Sequence, residues 1–470
     1  MTGAPARTAD AVVVGAGVAG LTAARTLRAR GLRVVVLDAA DRPGGPVRGD
    51  ALPGLGGLRV DVGAESFASR GTQVASLVPA LGLDVVEPAA ASAWGYAAGR
   101  AFPLPRAGVL GIPAHPWAAD VRRAVGVAGS LRASLDRVLP RRSADLSTLG
   151  SFTRSRLGAR VTDRLVAPVA TGVHSAPLDL LDVDAVAPGL RAAYEREGSL
   201  TRAVAALRAL APAGSAVRGV DGGLHRLVEA LAADADVRTR HRVVGLARAD
   251  GGHGPDGPAG WVVRASGPDG PVELTAPRLV VATPALAGAL APLVGGGAVP
   301  RPAAGADVRL VTLLLRAPEL DDAPRGTGVL VAPPRTGSDA AGGVEAKAMT
   351  HSTAKWPWLR ERVRDAAGPG HHVVRLSYGR VGATSEPDLD RVVADASALF
   401  GVDLHGRVLG HVTTRWDGAL PPPTPAYRRE VAAFADRVAE VPGLGVTGGW
   451  IAGTGLAAIV GHAQECAENV

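Results

Sequence analysis

The chain has 470 residues, too long for one hydrophobic core, so roughly two or three domains are expected. Hydrophobic residues make up 47% and charged residues 20%, the balance of a globular protein, and apolar periodicity persists among the 62 glycines and 36 prolines. One cysteine, Cys466, excludes an internal disulfide or a Cys-rich metal site. The net charge of +7 carries no Lys/Arg block, which argues against nucleic-acid binding.

Met1 to Asp10 is small and polar, and the first apolar run is short, so no signal peptide is expected. Val12, Val13 and Val14 read as a buried strand running into Gly15-Ala16-Gly17-Val18-Ala19-Gly20. Leu21, Ala24 and Leu27 then recur at helix spacing. The strand Val34–Leu37 follows and closes on Asp38 and Ala39. This is the grammar of a dinucleotide site. Gly15 permits the tight turn, Gly17 lets the backbone approach a pyrophosphate, and Gly20 lets helix and strand pack closely. The helix start offers unpaired N–H groups and a positive dipole end to phosphates. Asp38, 23 residues after Gly15, is placed to accept hydrogen bonds from a ribose.

Farther along, Asp41-Arg42-Pro43-Gly44-Gly45 and then Asp61-Val62-Gly63-Ala64-Glu65-Ser66-Phe67 follow. Pro103 to Leu180 reads mainly helical, with Val121, Val125, Leu131, Leu135 and Val138 at helix spacing, and Asp182 to Ala211 continues as loops and helices. Arg238 to Leu246 reads as paired strands, and Arg309–Leu315 and His372–Ser377 as strands. Gly251–Gly260 and Pro333–Gly343 read as surface turns. Leu279–Pro300 and Val441–His462 are uncharged runs of about 22 residues, long enough to span a bilayer. Their glycines and prolines favour strand, turn and helix in succession instead. Leu444 to Leu456 repeats the strand, glycine turn and helix order, with Ile451, Thr454 and Gly455 in the turn and a helix from Leu456.

The Gly-Gly loop after the first βαβ unit resembles the FAD-dependent amine-oxidase superfamily. Further segments narrow the likeness: Val169–Ala176, Val186–Leu190, Gly198-Ser199-Leu200, Gly219–Leu227, Thr350–Pro357, Val374–Arg380 and Arg415–Pro421. Together they resemble the protoporphyrinogen/coproporphyrinogen III oxidase family, most of all the soluble coproporphyrinogen III oxidases of Gram-positive bacteria. The resemblance implies an α/β fold, α+β overall: a Rossmann-like FAD-binding domain (1–70, 212–300, 410–470), an inserted mixed-sheet substrate domain (71–102, 181–211, 301–409) and a helical subdomain (103–180). It implies FAD held by the Gly15–Gly20 turn, by Asp38, Ala39 and Arg42, by Gly45 and Pro46, and by Gly63, Ala64, Glu65 and Ser66. Val243, Trp416, Ile451, Thr454, Gly455 and Leu456 complete the implied site.

The implied reaction removes six electrons from a porphyrinogen, with hydride passing to the flavin, dioxygen as acceptor and hydrogen peroxide as product. No catalytic side chain is required, because the cofactor carries the chemistry. Coproporphyrinogen bears four propionates, so its pocket should be apolar with cations at the rim. Candidates are Arg70, Arg100, Lys355 and Arg375, with Trp356 or Tyr378 as wall and His174 where the family has an aromatic. Lys355 has an alternative: to lie over Trp356 with its own stem. The sequence departs from the family at Pro46, where a basic residue is usual, and at Ala426-Tyr427 in place of Gly-His. Rival readings are an amine oxidase, a carotenoid-desaturase-like enzyme and a flavin-binding relative without turnover. A cytoplasmic setting is expected, without a transmembrane segment. Peripheral membrane contact and handover to the next haem-pathway enzyme stay open.

Overall fold

The computed structural model describes residues 9–69, 71–105, 107–210, 217–249, 260–333 and 343–470. The first strand, Ala11–Val14, is buried along its whole length and pairs in parallel with Val34–Leu37 on one side and Arg278–Val281 on the other. Asp236–Arg238 and Leu444–Val446 extend it to a five-stranded parallel sheet drawn from four distant stretches of chain. Runs of Val and Leu suit strands covered on both faces. One face packs on the helices Val18–Ala29, His225–Ala233 and Leu456–Glu468; the other packs on Trp261, Leu290, Phe434 and Trp450. The region read as one strand pair divides between two sheets. Asp236–Arg238 joins the parallel sheet, whereas Arg242–Arg248 pairs antiparallel with Trp261–Gly267.

A seven-stranded mixed sheet forms the second layer, in the order Val408–Ala419, Ala306–Arg316, His371–Tyr378, Ala348–His351, Gly328–Val331, Ala93–Ala97, Arg100–Pro103. Alternation sets its faces. Val374, Leu376 and Tyr378 are buried with Leu399 and Phe400 of the helix Leu389–Phe400. Arg375 and Ser377 point the other way and remain partly exposed. Residues 408–419, grouped in the sequence with the cofactor-binding segments, lie within this sheet. The helices in 181–211, grouped with the substrate segments, bury Leu190, Tyr194, Leu200 and Val204 beside Phe152 and Leu165 in the helical unit.

The helical unit differs from its sequence reading for a definable reason. Val121 and Val125 are buried, yet Leu131, Leu135 and Val138 are exposed by 55%, 48% and 76%. Gly126 interrupts the helix Ala119–Ser134 with φ 72° and ψ 174°, which rotates the following turns and turns Ser130 and Ala133 inward instead. A buried ion pair anchors the unit. Asp136 accepts from Arg156 Nε at 2.8 Å, Ser199 Oγ at 2.6 Å and Thr201 N at 2.9 Å. A buried charge met this fully is stable where an unpaired one is not.

The two long uncharged runs fold as strand, turn and helix. Leu279–Pro300 contains the end of the strand Arg278–Val281 and short helical turns; Val441–His462 contains Leu444–Val446, Gly449–Ala452 and the start of Leu456–Glu468. Among the described residues no helix is long and apolar enough to cross a membrane. Residues 251–259 and 334–342, most of the two stretches expected as surface turns, lie outside the described residues.

Candidate cofactor and substrate site

Two glycine turns pack on Ala282 at the ends of the parallel strands, and a third glycine loop lies beside the first. The Ala282 N–H donates to Val14 O at 2.8 Å, and Thr447 N donates to Val281 O at 3.0 Å, which brings the ends of three strands together. The glycines of these turns do two different jobs. A Cβ on Gly20 would sit 1.8 Å from Gly15 O, and Cβ atoms on Gly15 and Gly448 would crowd Ala282 O at 3.3 and 3.1 Å. Those three keep backbone against backbone. A Cβ on Gly17, Gly45 or Gly455 would meet nothing within 4 Å, so the space beside them is open. Gly44 N donates to Ala16 O at 2.8 Å and lays the Gly-Gly loop alongside Gly17.

This arrangement fits an extended dinucleotide. Gly17 and Gly455 are N-caps of the helices Val18–Ala29 and Leu456–Glu468, and neither helix has a capping side chain or an acid in its first turn. The buried Val18 and Ala19 and the buried Leu456 begin those turns, leaving backbone N–H groups for an anion. The helix His225–Ala233 is different: Asp61 accepts from Leu224 N at 2.8 Å and from His225 N at 2.9 Å, so its start is satisfied from within. Asp38 accepts from Ala16 N at 2.5 Å and Ala40 N at 2.7 Å, which ties the phosphate turn to the acid and leaves lone pairs for ribose hydroxyls. His241 N donates to Asp38 O at 2.8 Å, which carries Val243 to the same edge beside the exposed Ala39. Ile451 is half-buried and Thr454 exposed on the glycine turn before Leu456.

The loop from Arg42 to Ser66 continues along this edge. Arg42 and Arg48, the bases nearest Pro46 in the sequence, both pair with Asp50, at 2.7 and 3.2 Å. Pro46 O accepts from Ala64 N at 2.9 Å and would lie 1.9 Å from a Cβ on Gly63. Trp416 closes the other side, donating from Nε1 to Val62 O at 3.0 Å.

Glu65 joins this loop to the seven-stranded sheet. Its carboxylate accepts from Lys355 Nζ at 2.5 Å through one oxygen and from Arg375 at 3.0 Å through the other, with all three side chains at most 16% exposed. Arg375 also donates to Gly63 O at 2.8 Å and Asp61 O at 3.2 Å. Burial alone would raise the Glu65 pKa, but the Arg375 and Lys355 charges outweigh it and hold the group at about 2. The triad keeps one net positive charge beside the loop.

The residues expected to line the substrate pocket separate. Lys355 lies 5.1 Å over the Trp356 ring, so it stems across its neighbour and spends its charge on Glu65. Trp356 is 3% exposed, and a Cβ on Gly219 would stand 2.8 Å from its ring, so it packs as core. Tyr378 is 0% exposed on the helix-covered face of the sheet and offers no wall. Its neighbour Ser377 faces the other way, in register with Ala348, as Arg375 is with Thr350 and Leu330 with Ala348. These five are partly exposed on the face that meets the cofactor loop at Arg375 and the helix Ala167–His174 where Gly172 abuts Leu330. This strip was not singled out in the sequence, although strand alternation predicts it once one inward residue is known. His174 ends that helix, and burial lowers its pKa to about 4, so it is neutral near pH 7. Arg100 is exposed beside an edge hairpin, and Arg70 lies outside the described residues. A cavity of about 650 Å³ lined by Trp94, Leu104, Asp120 and Arg123 shares no residue with this site.

The flavin-containing amine oxidoreductase family matches the chain over residues 18–469. A coproporphyrinogen III oxidase of Mycobacterium bovis is 31% identical, over 97% of this chain and 96% of its own length. One from Propionibacterium freudenreichii is 29% identical, over 98% and 90%. The crystal structure of a candidate protoporphyrinogen oxidase from Exiguobacterium sp. 255-15 superposes with a TM-score of 0.78 at 22% identity, covering 97% of both chains.

Two outcomes follow from the geometry. Gly20→Ala should fail to fold stably, whereas Gly17→Val should keep the native circular dichroism spectrum and lose at least about tenfold in FAD affinity by flavin titration, because its side chain fills only the open space. Equal effects on folding would contradict this division. The depressed Glu65 pKa contributes stability that is complete above the unfolded value of 4.5 and is lost as pH falls towards about 2. Denaturant titrations should therefore show wild type more stable than Glu65→Gln by ~3 kcal/mol near pH 6, an order-of-magnitude figure, with the gap closing below pH ~3. A gap independent of pH would remove the bridge as its cause.

Proposed function

We propose that this chain, which belongs to the flavin-containing amine oxidoreductase family and is an FAD-dependent oxidoreductase, oxidises a porphyrinogen, coproporphyrinogen III, in haem biosynthesis. The supporting observation is the likeness to coproporphyrinogen III oxidases at about 30% identity along nearly the whole length of both chains. Dioxygen as acceptor and hydrogen peroxide as product belong to the same reading. In it the enzyme works in the cytoplasm and releases its porphyrin to a later haem-pathway step.

Bound FAD supplies the two-electron acceptor. The remaining work is positioning, and we assign it to this chain's own residues. The backbone at Gly15–Gly20, Gly44-Gly45 and Gly453–Leu456 holds the dinucleotide, with Asp38 on its ribose. On the strip Leu330, Ala348, Thr350, Arg375 and Ser377, the short side chains of Ala348, Thr350 and Ser377 leave room on the pleated face for a broad ring. The neutral His174 borders it and accepts or donates one hydrogen bond without adding charge. The net positive Glu65–Lys355–Arg375 triad sets a favourable potential for propionates without spending a free cation. The domain partition we favour keeps three units, with 181–210 assigned to the helical one and 408–419 to the substrate sheet.

Purified FAD-loaded protein in aerated buffer should turn coproporphyrinogen III into fluorescent porphyrin with about three peroxides per macrocycle, two electrons at a time. Peroxide from polyamines but none from the porphyrinogen would replace this reading with an amine oxidase. Ser377→Trp, which fills the strip, should raise KM at least about tenfold while FAD content stays unchanged, and Tyr378→Phe should leave KM within about twofold. The reverse order would put the substrate on the opposite face of the sheet.

A further inference from the structure

Several buried cations among the described residues are answered by acids. Arg156 meets Asp136, Lys355 and Arg375 meet Glu65, and Arg309 meets Glu386. Lys347 has no such partner among the described residues. It is 2% exposed, and its backbone is clamped between two strands, its N–H donating to Ser377 O at 2.8 Å and its carbonyl accepting from Val331 N at 2.9 Å. The ammonium donates to Ser175 Oγ. Ser175 is fully buried at the left-handed turn that ends the helix Ala167–His174, and its carbonyl accepts from Val381 N at 2.8 Å.

Arg380, next to Val381, donates to Val331 O at 3.0 Å, while its Nε is buried without a partner. Burial, and then the charge of Arg380, push Lys347 down to about 7; burial alone lowers Arg380 to about 10. Neither cation is paired with a described carboxylate. An ammonium has three donors, and the one acceptor seen here is a hydroxyl. Two like charges buried side by side need a counter-charge or must give up a proton. The hydroxyl of Ser175, once it accepts from Lys347, still has its own hydrogen to donate.

We propose that Lys347, Arg380 and Ser175 form a binding site for one small monoanion of the carboxylate class, at the junction of the helical unit and the seven-stranded sheet. The site pins the two layers together when filled. Its ligand is either a free carboxylate or a propionate of the macrocycle; only the second source rests on the porphyrinogen reading.

The test uses the FAD-loaded protein at pH 7 and constant ionic strength, with sodium formate or acetate exchanged against sodium sulfate. The thermal midpoint should rise saturably with formate and acetate in wild type. In Lys347→Met that saturable rise should vanish, and in Arg380→Gln the concentration giving half the rise should increase at least tenfold. Arg380→Gln carries the test alone if Lys347→Met does not fold. An equal rise in both variants, or no saturable rise in wild type, would overturn the site. Coproporphyrin III and its tetramethyl ester separate the sources. Loss of the formate response with the free acid but not the ester assigns the site to a propionate; a response that persists with porphyrin bound assigns it to a free anion. A protein that binds no porphyrin still answers the formate arm.

Discussion

One carboxylate shared by two cations holds the Arg42–Ser66 loop to the seven-stranded sheet. Glu65 comes from the loop after the first βαβ unit, Lys355 from the turn after the strand Ala348–His351, and Arg375 from the middle of His371–Tyr378. Arg375 then spends its remaining donors on Gly63 O and Asp61 O, so the loop is gripped by backbone as well as by charge. Asp61, four residues earlier, caps the helix His225–Ala233 through two N–H groups. A short stretch of chain thereby registers three parts of the molecule against one another. Removing the acid would leave two cations buried together, which is a far larger penalty than the loss of a surface ion pair.

The edge proposed to hold the cofactor is built more from backbone than from side chains. Gly15, Gly20 and Gly448 are required by contact with carbonyl oxygens, and Gly17, Gly45 and Gly455 by the room they leave. A ligand held by N–H groups and helix ends tolerates wide change in the surrounding side chains. The replacement of a base by Pro46 illustrates this. Pro46 still closes the loop through its carbonyl, and Arg42 and Arg48 stand close by on Asp50.

The parallel sheet was legible because its signals are local: a Val run, a glycine turn at fixed spacing and an acid at the next strand end. The same holds for Ala306–Arg316 and His371–Tyr378, where β-branched alternation speaks for itself. Long-range and phase-dependent features were not. Whether Ser377 or Tyr378 joins the partly exposed strip depends on which side of the pleat meets the helix Leu389–Phe400, and a one-residue slip exchanges them. Lys355 looked available because its partner lies 290 positions away. Leu131, Leu135 and Val138 kept a helical period, yet Gly126 had already rotated the helix beneath them. Asp236–Arg238 and Arg242–Arg248 are neighbours in sequence that pair in different sheets, which no local pattern reveals.

The proposed function requires a porphyrinogen to reach FAD bound at this edge. Mixing FAD-loaded protein with coproporphyrinogen III in the absence of oxygen, while following the oxidised flavin band, tests that contact without any dependence on the final acceptor. The expected result is that the band bleaches and that admitting air restores it. A band that stays unchanged at substrate excess would contradict it.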